Sequence, residues 1–211
     1  DTVSFDTRDR TATLGASYQR IRTVDSAIVA SWMLSETSGT TADNGQGTAA
    51  YDGTYTGGFT LNQGGPASGV ASVALNGSSG YVAVSYNAAL NPSTATIEMW
   101  VRWTRGAGGL YSSYNGGTGD GYVLNVSSSG QLTGTMGGGG GSTNFNVPYY
   151  LVSTEWTHVA LTYSVAAKEN RVYINGDLVD VNIRGGTVAV NSSSATWIGR
   201  SSGSGYFNGR I

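Results

Sequence analysis

Residues 96–103 read Thr-Ile-Glu-Met-Trp-Val-Arg-Trp, and the alternation in that stretch decides the fold. In an extended chain Ile97, Met99, Val101 and Trp103 point one way, and Glu98, Trp100 and Arg102 the other. A helical period would scatter both sets around its circumference. The period of two therefore predicts a strand with one face in a core and one face in water.

Working outward, the same pattern recurs in short pieces. Residues 172–179, VYINGDLV, place Asn175-Gly176 between two β-rich runs. Asn and Gly tolerate the positive φ angles of a type I′ turn, so this is a hairpin, and the turn pins its register. EWTHVALTYS (155–164) and ATWIGR (195–200) predict further strands. GVASVALNGSSGYVAVSY (69–86) predicts two strands around a polar turn at Asn76–Gly80. YVLNVSSSGQLTGTM (122–136) predicts a hairpin, and AIVASWML (27–34) an early strand. Residues 165–170, VAAKEN, read as a loop, and helix signals are otherwise nearly absent. Repeated strands with turn signals between them predict an all-β sandwich or barrel.

Composition narrows the function. The chain holds 33 glycines in 211 residues, roughly twice the usual ~7% share. Charged residues make up 11%, less than half of the usual ~25%, and the net charge is −2. The only cluster of basic residues is the scatter between Arg8 and Arg22, so no footprint for nucleic acid is present. No apolar run approaches the ~18 residues of a membrane span. Cysteine is absent, which removes disulfides, thiolate nucleophiles and Cys-based zinc sites. The five glycines 137–141 read as a flexible loop. A phosphate-binding loop would need a Lys-Ser/Thr and a following helix, and neither follows.

Residues 1–17 read as a linker or N-terminal arm, with a first strand around Val3–Phe5 as the alternative; one domain spans 18–211. Within that domain five segments, in order, carry a resemblance. They are residues 27–58 (AIVASWMLSETSGTTADNGQGTAAYDGTYTGG), TIEMWVRW, EWTHVALTYS, RVYINGDLV and WIGRSSGSGYFNGRI. Together they resemble the laminin G-like, concanavalin A-like lectin and glucanase modules, and are similar to modules of phage minor tail proteins and bacterial surface proteins. The resemblance implies an antiparallel jelly-roll sandwich of two sheets with roughly 12–14 strands. It also implies a further strand after the closing FNGRI motif. The sequence is therefore expected to be a segment of a longer polypeptide, with the missing strand supplied by the continuing chain or a partner.

His158 is the only histidine. It lies in a strand motif, with no nucleophile elbow, no second histidine and no cysteine to work with, so it reads as a structural residue. Glycoside hydrolysis, the enzymatic rival, needs two carboxyl groups ~5–10 Å apart. The strand 96–103 offers one, Glu98, and Glu36, Glu155 and Glu169 stand at turns or strand entries.

Asp43, Asn44 and Asp52 lie in the loop where the resemblance implies a structural calcium ion; an Asx turn capped by Asp43 is the alternative. Tyr111, Tyr114, Asn115, Asp120, Tyr149, Tyr150 and Tyr206 sit beside glycines in loop-like sequence. Tyr offers a flat apolar ring with a polar tip, and Asn or Asp can orient hydroxyls, so these are the candidate sugar contacts. The expectation is a non-enzymatic glycan-binding or adhesion module of an extracellular, cell-surface or virion protein, with polysaccharide or glycoconjugate as partner. The alternative is a structural decoration or assembly protein that contacts other virion or surface proteins.

Overall fold

The computed structural model describes residues 27–203 and 205–211. The expected arm at 1–17, and the alternative strand at Val3–Phe5, lie outside the described residues. Among the described residues fifteen strands, one more than the upper expectation, form two antiparallel sheets. The eight-stranded sheet runs β1 (Thr41–Ala42), β2 (Gly53–Thr56), β5 (Tyr81–Val84), β14 (Thr196–Ile198), β7 (Gly108–Asn115), β8 (Asp120–Val126), β9 (Gln131–Gly138), β10 (Gly141–Tyr150). The seven-stranded sheet runs β13 (Asp177–Ile183), β12 (Glu169–Ile174), β11 (Trp156–Ser164), β6 (Thr94–Trp103), β15 (Asn208–Arg210), β4 (Ala71–Asn76), β3 (Phe59–Gly64).

The alternation in β6 is realised. Val101 and Trp103 enter the core between the sheets, while Glu98 and Trp100 are exposed. From β11, Val159, Leu161 and Tyr163 join the core, and from the facing sheet Tyr122, Leu124, Val82 and Val84. Asn175 and Gly176 both have positive φ, 52° and 95°, as the I′ hairpin between β12 and β13 requires. Residues 165–168 form the turn between β11 and β12.

The two strands in 69–86 go to different sheets, because β4 and β5 are not paired. Asn76 makes this arch: its side-chain oxygen accepts the backbone N–H groups of Ser78, Ser79 and Gly80, each at 3.0 Å. The early strand expected over 27–34 forms no ladder among the described residues. There it makes a bridge, Trp32 to Asn44, and Leu34 turns the chain at φ 52°. Burial of Leu34, and the hydrogen bond from the Trp32 indole to the Tyr51 carbonyl, hold this segment in irregular form.

The glycine run is also ordered differently from the expectation. Gly137 and Gly138 end β9, Gly141 starts β10, and Gly139 and Gly140, at φ 63° and 80°, turn the chain between them. Gly137 packs so closely that a Cβ there would lie 1.9 Å from the Gly119 carbonyl oxygen. The absent side chains let the backbones touch.

β15 flanks β6 only at Trp103 and Arg102. Along Thr94–Trp100 the side of β6 away from β11 has no strand partner among the described residues. The inner-face residues Ile97 and Met99 are accordingly only half-buried, whereas Val101 and Trp103 are buried.

The glycine run gives a direct test of this packing. Gly137→Ala forces a methyl onto backbone that cannot move aside, and should cost about 2–4 kcal/mol. Gly140→Ala meets open space and only a left-handed backbone, and should cost about 1–2 kcal/mol. Urea unfolding of both variants measures the difference; a flexible loop would tolerate both equally.

Candidate functional site

β6 and β11 lie inside the seven-stranded sheet and share nine consecutive paired positions. Side chains on their outer face therefore stand on backbone that is held in place. The register sets Trp156 opposite Arg102, His158 opposite Trp100 and Ala160 opposite Glu98. Trp100 is 39% exposed. The His158 ring tilts against the Trp100 ring with centroids 5.2 Å apart. Its Nε2 lies 3.6 Å from the Glu98 carboxylate, an ion pair when the imidazole is protonated. Hydrogen bonding from the imidazole lowers the Glu98 pKa; partial burial opposes this and the imidazole charge assists it. The His158 N–H donates to Asn175 Oδ1 at 3.0 Å, and its carbonyl accepts from the Asn175 N–H at 2.9 Å. His158 thus fastens the β12–β13 turn to β11. Arg102 Nε donates to the Thr154 carbonyl at 2.7 Å. The result is a flat aromatic ring in the open, with an acceptor and a donor beside it. β6 carries a single carboxylate, and it is the one paired with His158.

The seven candidate sugar contacts do not form one site. Tyr111 is 6% exposed and stacks on Tyr122 at 5.9 Å within the core, which leaves it no face for a ligand. The reason is that residues 108–113 of β7 are covered on both sides. Tyr114, Asn115 and Asp120 do come together at the β7–β8 turn, where Asn115 pairs with Asp120. Asn115 Oδ1 accepts the Gly117 N–H at 2.9 Å, and its amide donates to Ser193 Oγ at 2.9 Å. Tyr149 and Tyr150 end β10, the edge strand, with Tyr150 exposed and Tyr149 half-buried.

Tyr206 belongs elsewhere. It lies with Tyr81 and Trp197 around the guanidinium of Arg200, whose Cζ is 5.3, 4.8 and 4.6 Å from the three ring centroids. Of this group the sequence pointed only to Tyr206. Trp197 and Arg200 are three apart in WIGR, but Tyr81 arrives from β5 through strand pairing.

Two of the three calcium candidates, Asn44 and Asp52, bond protein groups through their side chains. Asn44 is buried; its side-chain oxygen accepts the Ser31 N–H at 3.0 Å and its amide donates to the Thr48 carbonyl at 3.2 Å. Asp52 Oδ1 accepts the Asn44 N–H at 2.9 Å. Asp43 is exposed, and its N–H donates to Glu36. The other Glu36 oxygen accepts from the Tyr55 hydroxyl, and burial, then this carboxylate, raise the Tyr55 pKa. Among the described residues no three His, Cys, Asp or Glu side chains gather as a metal cluster would require. Asn44 and one Asp52 oxygen thus tie the loop to its own backbone, while the Asp43 carboxylate faces solvent.

The family model of the concanavalin A-like lectin/glucanases superfamily (Laminin_G_3) matches residues 76–211. The chain belongs to that superfamily. No curated protein matches the sequence. Among solved structures, the binding domain of botulinum neurotoxin DC in complex with rat synaptotagmin II aligns at 17% identity with a TM-score of 0.61, over 86% of this chain and 44% of that one. A botulinum neurotoxin type C structure, concerned with cell entry through two ganglioside molecules, aligns at 18% identity and 0.55, over 77% and 40%. The binding domain of Paraclostridial Mosquitocidal Protein 1 aligns at 18% and 0.54, over 72% and 40%. The chain spans less than half the length of each, and at these identities the likeness is one of fold. The superfamily's two-sheet jelly roll is what places β6 and β11 at the centre of one sheet here.

Replacing Glu98 by Gln should produce a small difference that depends on pH. A folded-state pKa below the unfolded one stabilises the protein above about pH 4–5, and this contribution is lost as pH falls through the lowered value. The Glu98 side chain is 52% exposed, so the gap should stay below about 1 kcal/mol. Thermal melts of both proteins should differ slightly near neutral pH and merge at the acid end.

Proposed function

We propose that this domain is a non-enzymatic glycan-binding module of a larger extracellular protein. The observation that carries the reading is Trp100: a solvent-facing indole on a strand laddered to β11, flanked by His158 and Glu98. Sugars present an apolar C–H face that stacks on such a ring and hydroxyls that bond the polar groups beside it. Hydrolysis would need a second carboxyl group at ~5–10 Å, and β6 supplies none. The fold neighbours support the reading in kind: one structure is named for gangliosides and another for a complex with SialylT. No helix among the described residues is long and apolar enough to cross a membrane. Tyr150 and the Tyr114–Asn115–Asp120 turn supply separate contacts on this reading.

A glycan array that includes bacterial wall polysaccharides, followed by calorimetry, tests it. Trp100→Ala should weaken binding roughly tenfold, the equivalent of the ~1.4 kcal/mol a stacked ring provides. Binding unchanged by that substitution, or release of reducing sugar from the polysaccharide, would sink the reading.

A second reading rests on β13. This edge strand exposes Leu178, Val181 and Ile183 at 48, 44 and 71%, beside the charged Asp177 and Asp180 of the same strand. An apolar free edge suits pairing with another protein, as in a virion or cell-surface assembly. On this reading Ile183→Lys should abolish self- or partner association in size-exclusion and light-scattering measurements. A protein that is monomeric before and after, and absent from any particle, has no such role.

The slot beside β6 belongs to the same picture. We propose that a strand outside the described residues fills it and completes the burial of Ile97 and Met99. Amides on that side of β6 should exchange at least about tenfold faster than those paired with β11 until the strand is supplied. Equal protection on both sides would mean the slot is already filled.

A further inference from the structure

The outer face of the eight-stranded sheet holds a group that neither the core nor the Trp100 face uses. Val82, Thr196 and Ile198 are buried inward, so the alternate residues Tyr81 and Trp197 stand on the opposite face. Arg200 follows two residues after β14, and Tyr206 bridges back to it. The Arg200 Nε donates to the Gly203 carbonyl at 3.3 Å, which fixes the plane of the guanidinium. Three rings surround its Cζ within 4.6–5.3 Å, and the Tyr81 and Tyr206 rings lie 6.0 Å apart. Rings hold a cation by the negative charge of their faces, and they exclude water around it.

Among the described residues, Arg200 has no carboxylate partner, and its terminal nitrogens have no acceptor. The Tyr81 and Tyr206 hydroxyls and the Trp197 indole N–H also make no hydrogen bond there. A pin for the 200–206 segment would explain the rings but not the charge. Met or Leu would pack against three rings without desolvating a cation. What the group presents is a guanidinium fork, held through its Nε and surrounded by rings that carry two hydroxyls and an indole N–H. Its complement is a planar oxyanion carrying nearby hydroxyls. A guanidinium fork binds a carboxylate through two parallel N–H···O bonds, shorter and stronger than neutral ones.

We propose that Arg200, with Tyr81, Trp197 and Tyr206, forms a second binding site that takes a sugar acid by its carboxylate. The two terminal nitrogens of Arg200 hold the carboxylate, and the rim receives ring hydroxyls. This rests on the glycan-binding reading, but the site is on the other sheet from Trp100. On this reading the module has a glycan contact on each sheet, and the Arg200 group is the one that selects an acidic sugar.

The test uses the full chain and glycosides of glucuronic acid and N-acetylneuraminic acid, each compared with its own methyl ester, by calorimetry at constant salt. The acid should bind at least tenfold tighter than the ester. Arg200→Gln should erase that preference, Arg200→Lys should keep part of it, and Trp100→Ala should leave it intact. Circular dichroism melts identify a variant that fails to fold; the acid-to-ester ratio on the unchanged protein needs no variant. Equal binding of acid and ester, or a preference that survives Arg200→Gln, overturns the proposal and leaves neutral-glycan binding at Trp100 standing. If no glycan binds at all, both fall. An acidic peptide that binds through Arg200 where the sugar acids do not would overturn it in favour of a protein partner.

Discussion

The ladder between β6 and β11 is the constraint on which the rest of this molecule depends. It runs antiparallel over nine positions without a bulge, and with a side-chain period of two it sorts every residue on both strands. Val101, Trp103, Val159, Leu161 and Tyr163 go inward and organise the core. Glu98, Trp100, Arg102, Trp156 and His158 go outward by the same rule. A slip of one residue would bury the carboxylate and expose the core. On its other side β11 is tied to the next hairpin, where the His158 backbone is bonded in both directions to Asn175.

Charge is scarce in this chain, so its long loops are held by another device. Asn44, Asn76, Asn115 and Asn191 each turn the side-chain oxygen onto backbone N–H groups of their own loop. Asn44 and Asn191 do so while almost fully buried. A carboxylate could accept the same bonds, but burying it would need a cation nearby. The neutral amide meets the backbone's demand at lower cost, and its N–H groups find carbonyls such as Thr48 and Ser194. The loop that holds Asn44 follows the same logic: the Asn44 amide oxygen accepts backbone N–H groups and its amide donates to the Thr48 carbonyl.

The two outer faces differ in what they offer. The β6–β11 face presents an open ring with a paired acid and imidazole. The β5–β14 face presents a cation whose aromatic surroundings are already filled by that cation. One suits stacking and the other suits charge. At the edge of the seven-stranded sheet, β13 exposes Leu178, Val181 and Ile183.

The fold class was legible in the sequence because period-two alternation is a local property. Residues 96–103, 155–164 and 172–179 needed only their own side chains and the Asn175-Gly176 turn to declare themselves. Local pattern was misleading where tertiary contacts override it. Residues 27–34 alternate like a strand, yet Leu34 and Trp32 are drawn out of any ladder by burial and by the Tyr51 carbonyl. Five glycines look unstructured until Gly119 is found packed against them. The binding surfaces were least legible of all. Tyrosines near glycines look alike in sequence, but Tyr111 went into the core, Tyr150 to an edge and Tyr206 to Arg200. The sequence by itself determined which residues alternate and where the chain must turn. Only the tertiary structure decided which strands became neighbours, and so which side chains, far apart along the chain, could share one ligand.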